Sequence, residues 1–378
     1  MLDSISTIPS FVTRLRVLPE SLTAQEIRKC AHQFGLAGSG ATEIELNEID
    51  GRTVLLRAPD EGTLDRDWGV LVGLARELVD GRASHPASTF FREVVSDPDR
   101  DYFRPAELCE AEGIRRFDDG KPYFTGATAA LLHGVDELFL GFAANEGAVP
   151  FFSEPIWEPG DLGSFGYSPQ SNVLLRVSHL GAGQERYWQN ATCDNIWKSL
   201  RGARLDGLQA FTALGTCCRN EPSQYFFLER MRTFRMREVV AAGSPEEITR
   251  FRERAVEYIT RLAHELGLNG HFENANDPFF LAGDANVAAG AQLPELVKIE
   301  LRLRLYDDKS LACASMNVHG DFFSRKLGFR GGADGAPVWT SCIAFGLERW
   351  AWAILVQFGP DPRGWPRRAR ELLDGRSA

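Results

Sequence analysis

Arginine, acidic and aromatic side chains recur in two short segments of the sequence, and arginines of this kind could bind an anion. In the first segment Arg219 and Glu221 are followed, after a loop, by Arg230 and Phe234. In the second segment a strand-like run reaches a glycine and leads into Arg349. A guanidinium group can bind two phosphate or carboxylate oxygens at once and can stack on an aromatic face. Each arginine alone would be interpreted as a surface ion pair, but the spaced set indicates a functional site.

Cysteine residues supply a second kind of chemistry. The chain has seven of them, an odd number with irregular spacing. Its N-terminus has no basic segment followed by an apolar one, and its apolar runs are too short to cross a bilayer. These features predict reduced thiols and a cytoplasmic protein. The sequence has no Cys-x-x-Cys, His-Glu-x-x-His, Walker A or Gly-x-Gly-x-x-Gly motif, so a standard glycine-rich nucleotide loop is not supported.

The first part of the chain is interpreted as a small α/β module. Its predicted order is βαββα, with strands at 13–18, 42–49 and 52–57 and helices at 23–34 and 65–79. Gly, Ser and Pro residues at 81–86 predict a linker. We therefore divide the chain into a module of residues 1–84 and a larger unit of residues 85–378.

The larger unit has long strand-like segments separated by few helices. The predicted strands lie at 149–155, 174–178, 209–217, 231–240, 296–305, 311–318 and 338–344, and the predicted helices at 126–144, 245–266 and 351–357. Ser244 is a suitable N-cap for the middle helix and Gly267 a suitable C-cap. Long strands with few intervening helices predict an α+β fold, in which a mostly antiparallel sheet is flanked by helices.

The two arginine-containing segments resemble signature sequences of the class II aminoacyl-tRNA synthetases. Residues 218–238, CRNEPSQYFFLERMRTFRMRE, are similar to motif 2 of that class, and residues 344–350, AFGLERW, are similar to motif 3. Residues 126–155 match motif 1 more weakly. Within the class, the chain most resembles the atypical, methanogenic type of seryl-tRNA synthetase and its truncated bacterial relatives, the amino acid:carrier protein ligases.

The resemblance implies a role for each residue of the two segments. In this class the carboxylate of an amino acid attacks the α-phosphate of ATP, which requires positioning and charge neutralisation. Arg219 would hold the α-phosphate, and Arg230 would reach the γ-phosphate. Glu221 would accept a hydrogen bond from the adenine amino group or orient the loop. Phe234 and Arg349 would stack on the two faces of the adenine.

The resemblance to the carrier protein ligases also implies a zinc ion in the site. Cys193 in NATCDNIW, Glu238, and Cys342 in TSCIAFG match the family's three zinc ligands. Three protein ligands leave one position of zinc open, and in this family the amino group of the substrate occupies it. The alternative for both cysteines is a small buried apolar side chain, which is the role assigned to Cys217, Cys218 and Cys313.

Further segments extend the resemblance: 276–280 (NDPFF), 298–301 (KIEL) and 315–323 (SMNVHGDFF). Asn317 is implied as a contact of the substrate. Glu300 is implied as a contact of Mg²⁺ or ribose, with an ion-paired strand carboxylate as the alternative. The usual seryl-type synthetase has a glutamate six residues before this asparagine, where the present chain has Leu311. His319 and Asp321 are interpreted as turn residues, with a place in the site as the alternative.

Three functions are compatible with these residues. The first is a ligase that converts glycine, alanine or serine into an aminoacyl-adenylate and transfers it to the phosphopantetheine thiol of a carrier protein. The second is a seryl-type synthetase that charges tRNA, and the third is an inactive paralogue that acts as a binding module. The net charge of −10 disfavours tRNA, and the occupied motif positions disfavour the third. We expect a homodimeric ligase that uses ATP, Mg²⁺ and Zn²⁺ and binds an acidic carrier protein through arginines of the 245–266 helix.

Overall fold

The first part of the chain contains a three-stranded antiparallel sheet covered by a helix. The computed structural model describes residues 12–18, 43–46, 53–84, 91–110, 114–116, 122–167, 173–178, 185–220, 228–275, 298–332 and 335–373. β1 (Val12–Val17), β2 (Glu43–Leu46) and β3 (Thr53–Ala58) form this sheet with β3 in the centre, and α1 (Glu61–Ser84) follows. The three predicted strands are confirmed, whereas the predicted helix at 23–34 lies outside the described residues. The predicted linker begins too early, because α1 continues to residue 84 and a lone glycine at position 81 is tolerated inside a helix.

An eight-stranded sheet forms the centre of the larger unit. In spatial order its strands are β4 (Phe91–Val94), β14 (Gly270–Ala275), β15 (Lys298–Arg304), β16 (Ser310–Gly320), β18 (Trp339–Gly346), β13 (Thr233–Gly243), β12 (Gln209–Cys218) and β7 (Val149–Pro150). Each neighbouring pair is antiparallel except β12 and β7, which are parallel. The predicted antiparallel sheet is therefore confirmed, but β4 and β14 were not predicted.

Short ladders and helices surround this sheet. The ladders are β5 (Ile114–Arg116) with β6 (Pro122–Phe124), β8 (Ile156–Trp157) and β9 (Leu175–Val177) on either side of β10 (Arg186–Trp188), and β11 (Arg204–Leu205) with β17 (Arg330–Gly331). The helices are α2 (Pro105–Glu110), α3 (Gly126–Asn145), α4 (Leu162–Phe165), α5 (Cys193–Ser199), α6 (Pro245–Leu266), α7 (Phe322–Leu327), α8 (Leu347–Phe358) and α9 (Arg367–Glu371).

Local sequence determines both ends of α6. The Ser244 hydroxyl accepts a hydrogen bond from the Glu247 N–H, and the Glu247 carboxylate accepts one from the Ser244 N–H, which forms a capping box. At the other end Gly267 has φ +74°, the left-handed conformation that glycine adopts most easily. The bounds of α6 therefore agree with the prediction.

The two faces of the large sheet have different partners. Side chains alternate between the faces along each strand. From β13 and β18, Val239, Ala241, Ile343 and Phe345 belong to the core formed with α3, α6 and α8. Val240, Ala242 and Cys342 belong to a second core that contains residues of α5 and α7. The candidate site lies on this second face.

α3 is the one helix among the described residues that is long and apolar enough to cross a membrane by length and composition alone. Half of its most apolar window is buried inside the protein. Phe139, for example, stacks on Phe345 of β18 with ring centroids 4.0 Å apart. These contacts are those of a helix in the protein core.

Candidate active site

A cavity on the second face of the sheet brings together most of the side chains that the sequence singles out. Those that line it are Cys193, Arg219, Phe234, Glu238, Glu300, Asn317, Cys342 and Arg349. Of the two remaining predicted residues, Glu221 lies outside the described residues, and Arg230 is described but does not line the cavity. Lining residues that were not predicted include Tyr167, Asn190, Asp194, Lys298, Ser315, His319 and Glu348.

Cys193, Glu238 and Cys342 form a compact cluster although they are far apart in the sequence. One potential ligand atom of each lies within 4.8 Å of those of the other two. All three residues are buried, with at most 5% of their surface exposed. β13 and β18 are neighbours with Val240 opposite Cys342, so Glu238 and Cys342 share one face of the sheet. Cys193 reaches the same point as the first residue of α5.

Three hydrogen bonds from neighbouring protein groups fix the position of the Glu238 carboxylate. Its Oε2 atom accepts from the Thr192 N–H at 2.6 Å, the Thr192 hydroxyl at 2.6 Å and the Cys193 N–H at 2.7 Å. The other carboxylate oxygen takes no part in these three bonds. The start of α5, which carries Cys193, is thereby attached to the middle of β13.

The cluster has the electrostatic properties of a cation site. The pKa of Cys193 is raised well above its usual value by the hydrogen bond with Cys342 and by burial. The hydrogen bond with Cys193 lowers the pKa of Cys342, but burial and the charge of Glu238 outweigh this effect and the pKa is raised. Burial and Glu238 likewise raise the pKa of the neighbouring Asp194. A divalent cation would stabilise these crowded acidic groups in their charged forms, and two thiolates with a carboxylate are a donor set that suits Zn²⁺.

Two side chains of β16 contact the sulfur atom of Cys342. The Asn317 amide nitrogen lies 3.3 Å from Sγ, and His319 Nε2 lies 3.6 Å from it, with the His319 Nδ1 atom 3.1 Å from the Thr340 hydroxyl. The interpretation of His319 as a turn residue is wrong, because β16 continues through a bulge between Val318 and Gly320. Asn317 is therefore placed beside the cluster, and its predicted contact with the substrate stays a prediction.

Arg349 supplies buried positive charge at the other end of the cavity. It lies in the first turn of α8, where it donates from Nε to the Glu229 carbonyl at 3.1 Å and from Nη1 to the Ala312 carbonyl at 2.9 Å. Burial and the nearby Arg230 and Arg219 lower its pKa to about 10, so Arg349 remains charged at neutral pH. The N-terminus of α8 also lines the cavity and favours bound anions.

Glu348 is a residue of the site that the sequence analysis did not assign. It is buried and accepts hydrogen bonds from the Arg235 N–H and from Arg235 Nε, both at 3.0 Å. These bonds fasten the first turn of α8 to β13. The adjacent Arg349 is thereby given a defined place relative to the sheet.

Arg219 and Phe234 are in direct contact. The Arg219 guanidinium lies 5.0 Å from the centroid of the Phe234 ring, and its Nη2 atom donates to the Asn190 carbonyl at 3.3 Å. Arg219 comes directly after β12 and Phe234 lies near the start of β13, so the antiparallel pairing of these strands brings them together. The stacking of adenine between Phe234 and Arg349 stays a prediction.

Glu300 is held in a network of ion pairs. Its carboxylate lies 3.0 Å from Lys298 Nζ and 3.2 Å from Arg302 Nη1. Burial alone would raise the pKa of Glu300, but Lys298 and Arg302 lower it to about 2. These ion pairs agree with the alternative interpretation of Glu300, and its contact with Mg²⁺ or ribose stays a prediction. Leu311 is buried in the core with the long helices and does not line the cavity.

The antiparallel sheet, with an arginine after β12 and another in the first turn of the helix after β18, has the fold of a class II synthetase. A seryl-tRNA synthetase from M. kandleri, solved with tRNASec of A. aeolicus, superimposes with a TM-score of 0.65 over 96% of this chain and 77% of that chain. The serine–tRNA ligase of Naegleria fowleri, solved with AMP, gives a TM-score of 0.62 over 83% of both chains. Sequence identities of 20% and 13% mean that these likenesses show the fold.

Sequence comparison relates the chain to two groups of enzymes. It is 36% identical over 174 residues to amino acid–acyl-carrier-protein ligase 1 of Bradyrhizobium diazoefficiens, which is 46% of this chain and 52% of that one. It is also 36% identical over 143 residues to the type-2 serine–tRNA ligase of Methanococcus maripaludis, which is 37% of this chain and 28% of that one. The match thus spans about half or less of each relative. No protein-family model matches the chain. The predicted relationship to both groups is confirmed.

Proposed function

We propose that this protein uses ATP to activate glycine, alanine or serine as an aminoacyl-adenylate and transfers the acyl group to the phosphopantetheine thiol of a carrier protein. The observation that carries the proposal is one cavity with the Cys193–Glu238–Cys342 cluster and two arginines, Arg219 and Arg349. The similarity to ligases whose names specify an amino acid and an acyl-carrier protein supports the same reaction.

In the first step an oxygen of the amino acid carboxylate would form a bond to the α-phosphorus of ATP, and pyrophosphate would leave. Negative charge increases on the phosphate oxygens during this step, so fixed positive charges accelerate it. Arg219 and Arg349 both line the cavity and are both oriented by backbone carbonyls. A zinc ion bound to Cys193, Glu238 and Cys342 would offer an open position to the amino group of the substrate.

The surroundings of the cluster favour a small amino acid. Rings of Tyr167, His319 and Phe323 line the cavity, and His319 contacts the sulfur atom of Cys342. His319 and Phe323 meet edge to face, with centroids 5.1 Å apart. Bulky side chains that are packed against one another leave less room for a large substrate.

In the second step the thiol of the carrier's prosthetic group would attack the acyl carbonyl, and AMP would leave. The net charge of −10 supports a protein acceptor over tRNA. The predicted basic docking face on α6 is not supported by charge, since Arg254 pairs with Glu146 at 2.6 Å. The exposed side of α6 also carries four glutamates: Glu246, Glu253, Glu257 and Glu265.

Charging of tRNA with serine is the second candidate function. Two comparisons favour it: the similarity to type-2 serine–tRNA ligases, and the superposition of 96% of this chain on a seryl-tRNA synthetase solved with tRNA. The two functions share the adenylation step and differ in the acceptor. Assays of both steps on one preparation therefore separate them.

The test begins with ATP–pyrophosphate exchange against a panel of amino acids. We expect exchange with one or more of glycine, alanine and serine, and none with large residues. The same preparation is then given labelled amino acid with holo-carrier protein, apo-carrier protein or total tRNA. Label on the holo-carrier alone, released by mild base or hydroxylamine, is the expected result. RNase-sensitive label on tRNA with none on the carrier would support the second function, and no exchange with any amino acid would contradict both.

We further propose that the protein is a cytoplasmic homodimer. β7 is an edge strand, and the apolar side chains of Val149, Phe152 and Leu214 near this edge are 56%, 91% and 41% exposed. Exposed apolar groups next to an open sheet edge are typical of a surface that another copy covers. The six cysteines in the described part of the chain are unbridged, which fits a reducing compartment.

A further inference from the structure

The turn between β15 and β16 has an unusual backbone. Asp307 and Asp308 have φ of +51° and +55°, and in the described part of the chain they are the residues other than glycine with positive φ. Hydrogen bonds from the Lys309 N–H to the Tyr306 carbonyl, at 3.1 Å, and from the Leu305 N–H to the Lys309 carbonyl, at 2.8 Å, close the turn. Two successive left-handed residues without glycine are strained and persist where surrounding contacts hold them.

Side chains on both sides hold this turn in place. Arg104 donates from both terminal nitrogens to the Asp307 carboxylate, at 2.6 and 3.0 Å. The Lys309 ammonium lies 4.9 Å from the centroid of the Tyr306 ring. Tyr306 itself is 8% exposed. The turn thus fixes the position of one buried tyrosine.

The hydroxyl of Tyr306 donates a hydrogen bond to the side-chain carboxylate of Glu229. Burial and this carboxylate raise the pKa of Tyr306, so its hydroxyl keeps its proton at neutral pH. Glu229 directly precedes Arg230, and its backbone carbonyl is the group that accepts from Arg349 Nε. Tyr306 therefore acts on the residue that holds one side of the Arg349 guanidinium.

The other side of the Arg349 guanidinium depends on the same hairpin. Its Nη1 atom donates to the carbonyl of Ala312, which is the third residue of β16. One carbonyl that orients Arg349 thus belongs to the hairpin itself, and the other is connected to the hairpin through Glu229 and Tyr306. A shift of the Tyr306 hydroxyl would release the Glu229 carbonyl and leave the Ala312 carbonyl in place.

We propose that Tyr306 is a positioning residue that orients Arg349 toward ATP through Glu229. The inference rests on the proposed adenylation activity and assigns Tyr306 no contact with the substrate. The strained turn at Asp307 and Asp308 serves to place the Tyr306 hydroxyl. Loss of the Tyr306 hydroxyl changes the binding of ATP and leaves the amino acid end of the cavity unchanged.

The test compares Tyr306→Phe with Tyr258→Phe in ATP–pyrophosphate exchange. Tyr258 is a matched control because it is partly buried, packs against the same hydrophobic core as Tyr306, and donates its hydroxyl to the Leu138 carbonyl at 2.7 Å. Tyr306→Phe is expected to raise the KM for ATP about tenfold, the effect of losing one hydrogen bond to a charged group. The KM for the amino acid and the zinc content are expected to stay unchanged. Tyr258→Phe is expected to change thermal stability and leave both KM values as in wild type.

A double-mutant cycle tests the route through Glu229. Glu229→Ala is expected to match Tyr306→Phe, and the double variant is expected to be no worse than either, because both remove the same bond. Glu229→Gln keeps an acceptor oxygen and is expected to lose less than Glu229→Ala.

Three outcomes would overturn the proposal. The first is an equal effect of Tyr306→Phe and Tyr258→Phe on the KM for ATP. The second is a rise in the KM for ATP in the Glu229→Ala/Tyr306→Phe variant that equals the product of the two single effects. The third is a rise in the KM for the amino acid that parallels the rise for ATP in Tyr306→Phe. With active wild-type enzyme these outcomes leave the proposed function intact. A wild-type enzyme without exchange activity would instead contradict the proposed function, and this inference with it.

Discussion

Three buried side chains define the candidate zinc site at the scale of single residues. We predict about one zinc per chain in purified protein, and its loss in Cys193→Ala and in Cys342→Ala, because two ligands cannot hold the ion as three can. Metal analysis measures the content, and circular dichroism checks that both variants stay folded. Cys109→Ala is the control, as Cys109 is half-buried in α2, away from the cavity. Zinc retained in full by both cluster variants would contradict the assignment.

Two arginines, Arg219 and Arg349, are expected to determine the rate of adenylation. Arg219→Ala and Arg349→Ala are predicted to lower the rate of pyrophosphate exchange about a hundredfold or more, because each removes a charge next to the developing phosphate charge. Arg363→Ala is the matched control, since Arg363 is 91% exposed and pairs with Asp361 in its own turn. A loss of less than about threefold in either cavity variant would argue against the proposed geometry.

The individual residues of the site were only partly accessible from the sequence. Arg219, Phe234 and Arg349 could be found because they occur in short spaced segments. Cys193, Glu238 and Cys342 form no local pattern and were identified by resemblance alone. Strand pairing brings Glu238 and Cys342 together, and Cys193 reaches them from the start of α5. For His319 the turn interpretation was preferred over a place in the site, and it is wrong because a β-bulge carries the strand past the point where an ordinary turn was expected.

At the scale of the element, strong local sequence signals were sufficient to predict a helix or strand, and weak signals were not. α6 has a capping box, a buried stripe and a C-terminal glycine, and its bounds were predicted correctly. β4 and β14 were missed because their sequences, FREV and GHFENA, carry charged and polar residues among few apolar ones. These two segments are strands because they pair with each other, and β14 also with β15. Such pairing is a tertiary effect that a local pattern does not contain.

The N-cap of α6 should contribute measurably to stability. Ser244→Ala is predicted to lower the free energy of unfolding by about 1 kcal/mol, because the Glu247 N–H loses its acceptor. Urea denaturation measures the change. Thr249→Ala in the same helix is the control and should be neutral or slightly stabilising, as its hydroxyl bonds to the Pro245 carbonyl within the helix and alanine favours helix formation. Equal effects of the two substitutions would contradict the capping role.

At the scale of the whole molecule, we expect a second copy of the chain to contact the β7 edge of the large sheet and not the β4 edge. Phe152→Asp is predicted to convert a dimer into monomers, because it places a charge at the apolar β7 edge. Light scattering after size-exclusion chromatography measures the mass. Phe91→Asp is the matched control, since Phe91 is 61% exposed but belongs to β4 at the opposite edge. A dimer that survives Phe152→Asp, or a wild-type monomer, would contradict the proposed interface.

The overall architecture was predictable, but the arrangement of its parts was not. The long strands, with few helices between them in the sequence, indicated an antiparallel sheet. The sequence did not indicate that α3, α6 and α8 share one face and leave the other to the cavity. The charge of α6 was also misjudged, because its acidic residues and the contact of Arg254 with Glu146 offset its arginines. The division of the chain at residue 84 stays a prediction.

The bonds from Thr192 and Cys193 to Glu238 make the start of α5 and the candidate metal site a single structural unit. Removal of the Glu238 carboxylate would take away one candidate ligand and would also leave three buried donors without their acceptor. Damage to the site at this position is therefore expected to loosen a helix as well as to weaken the binding of a cation.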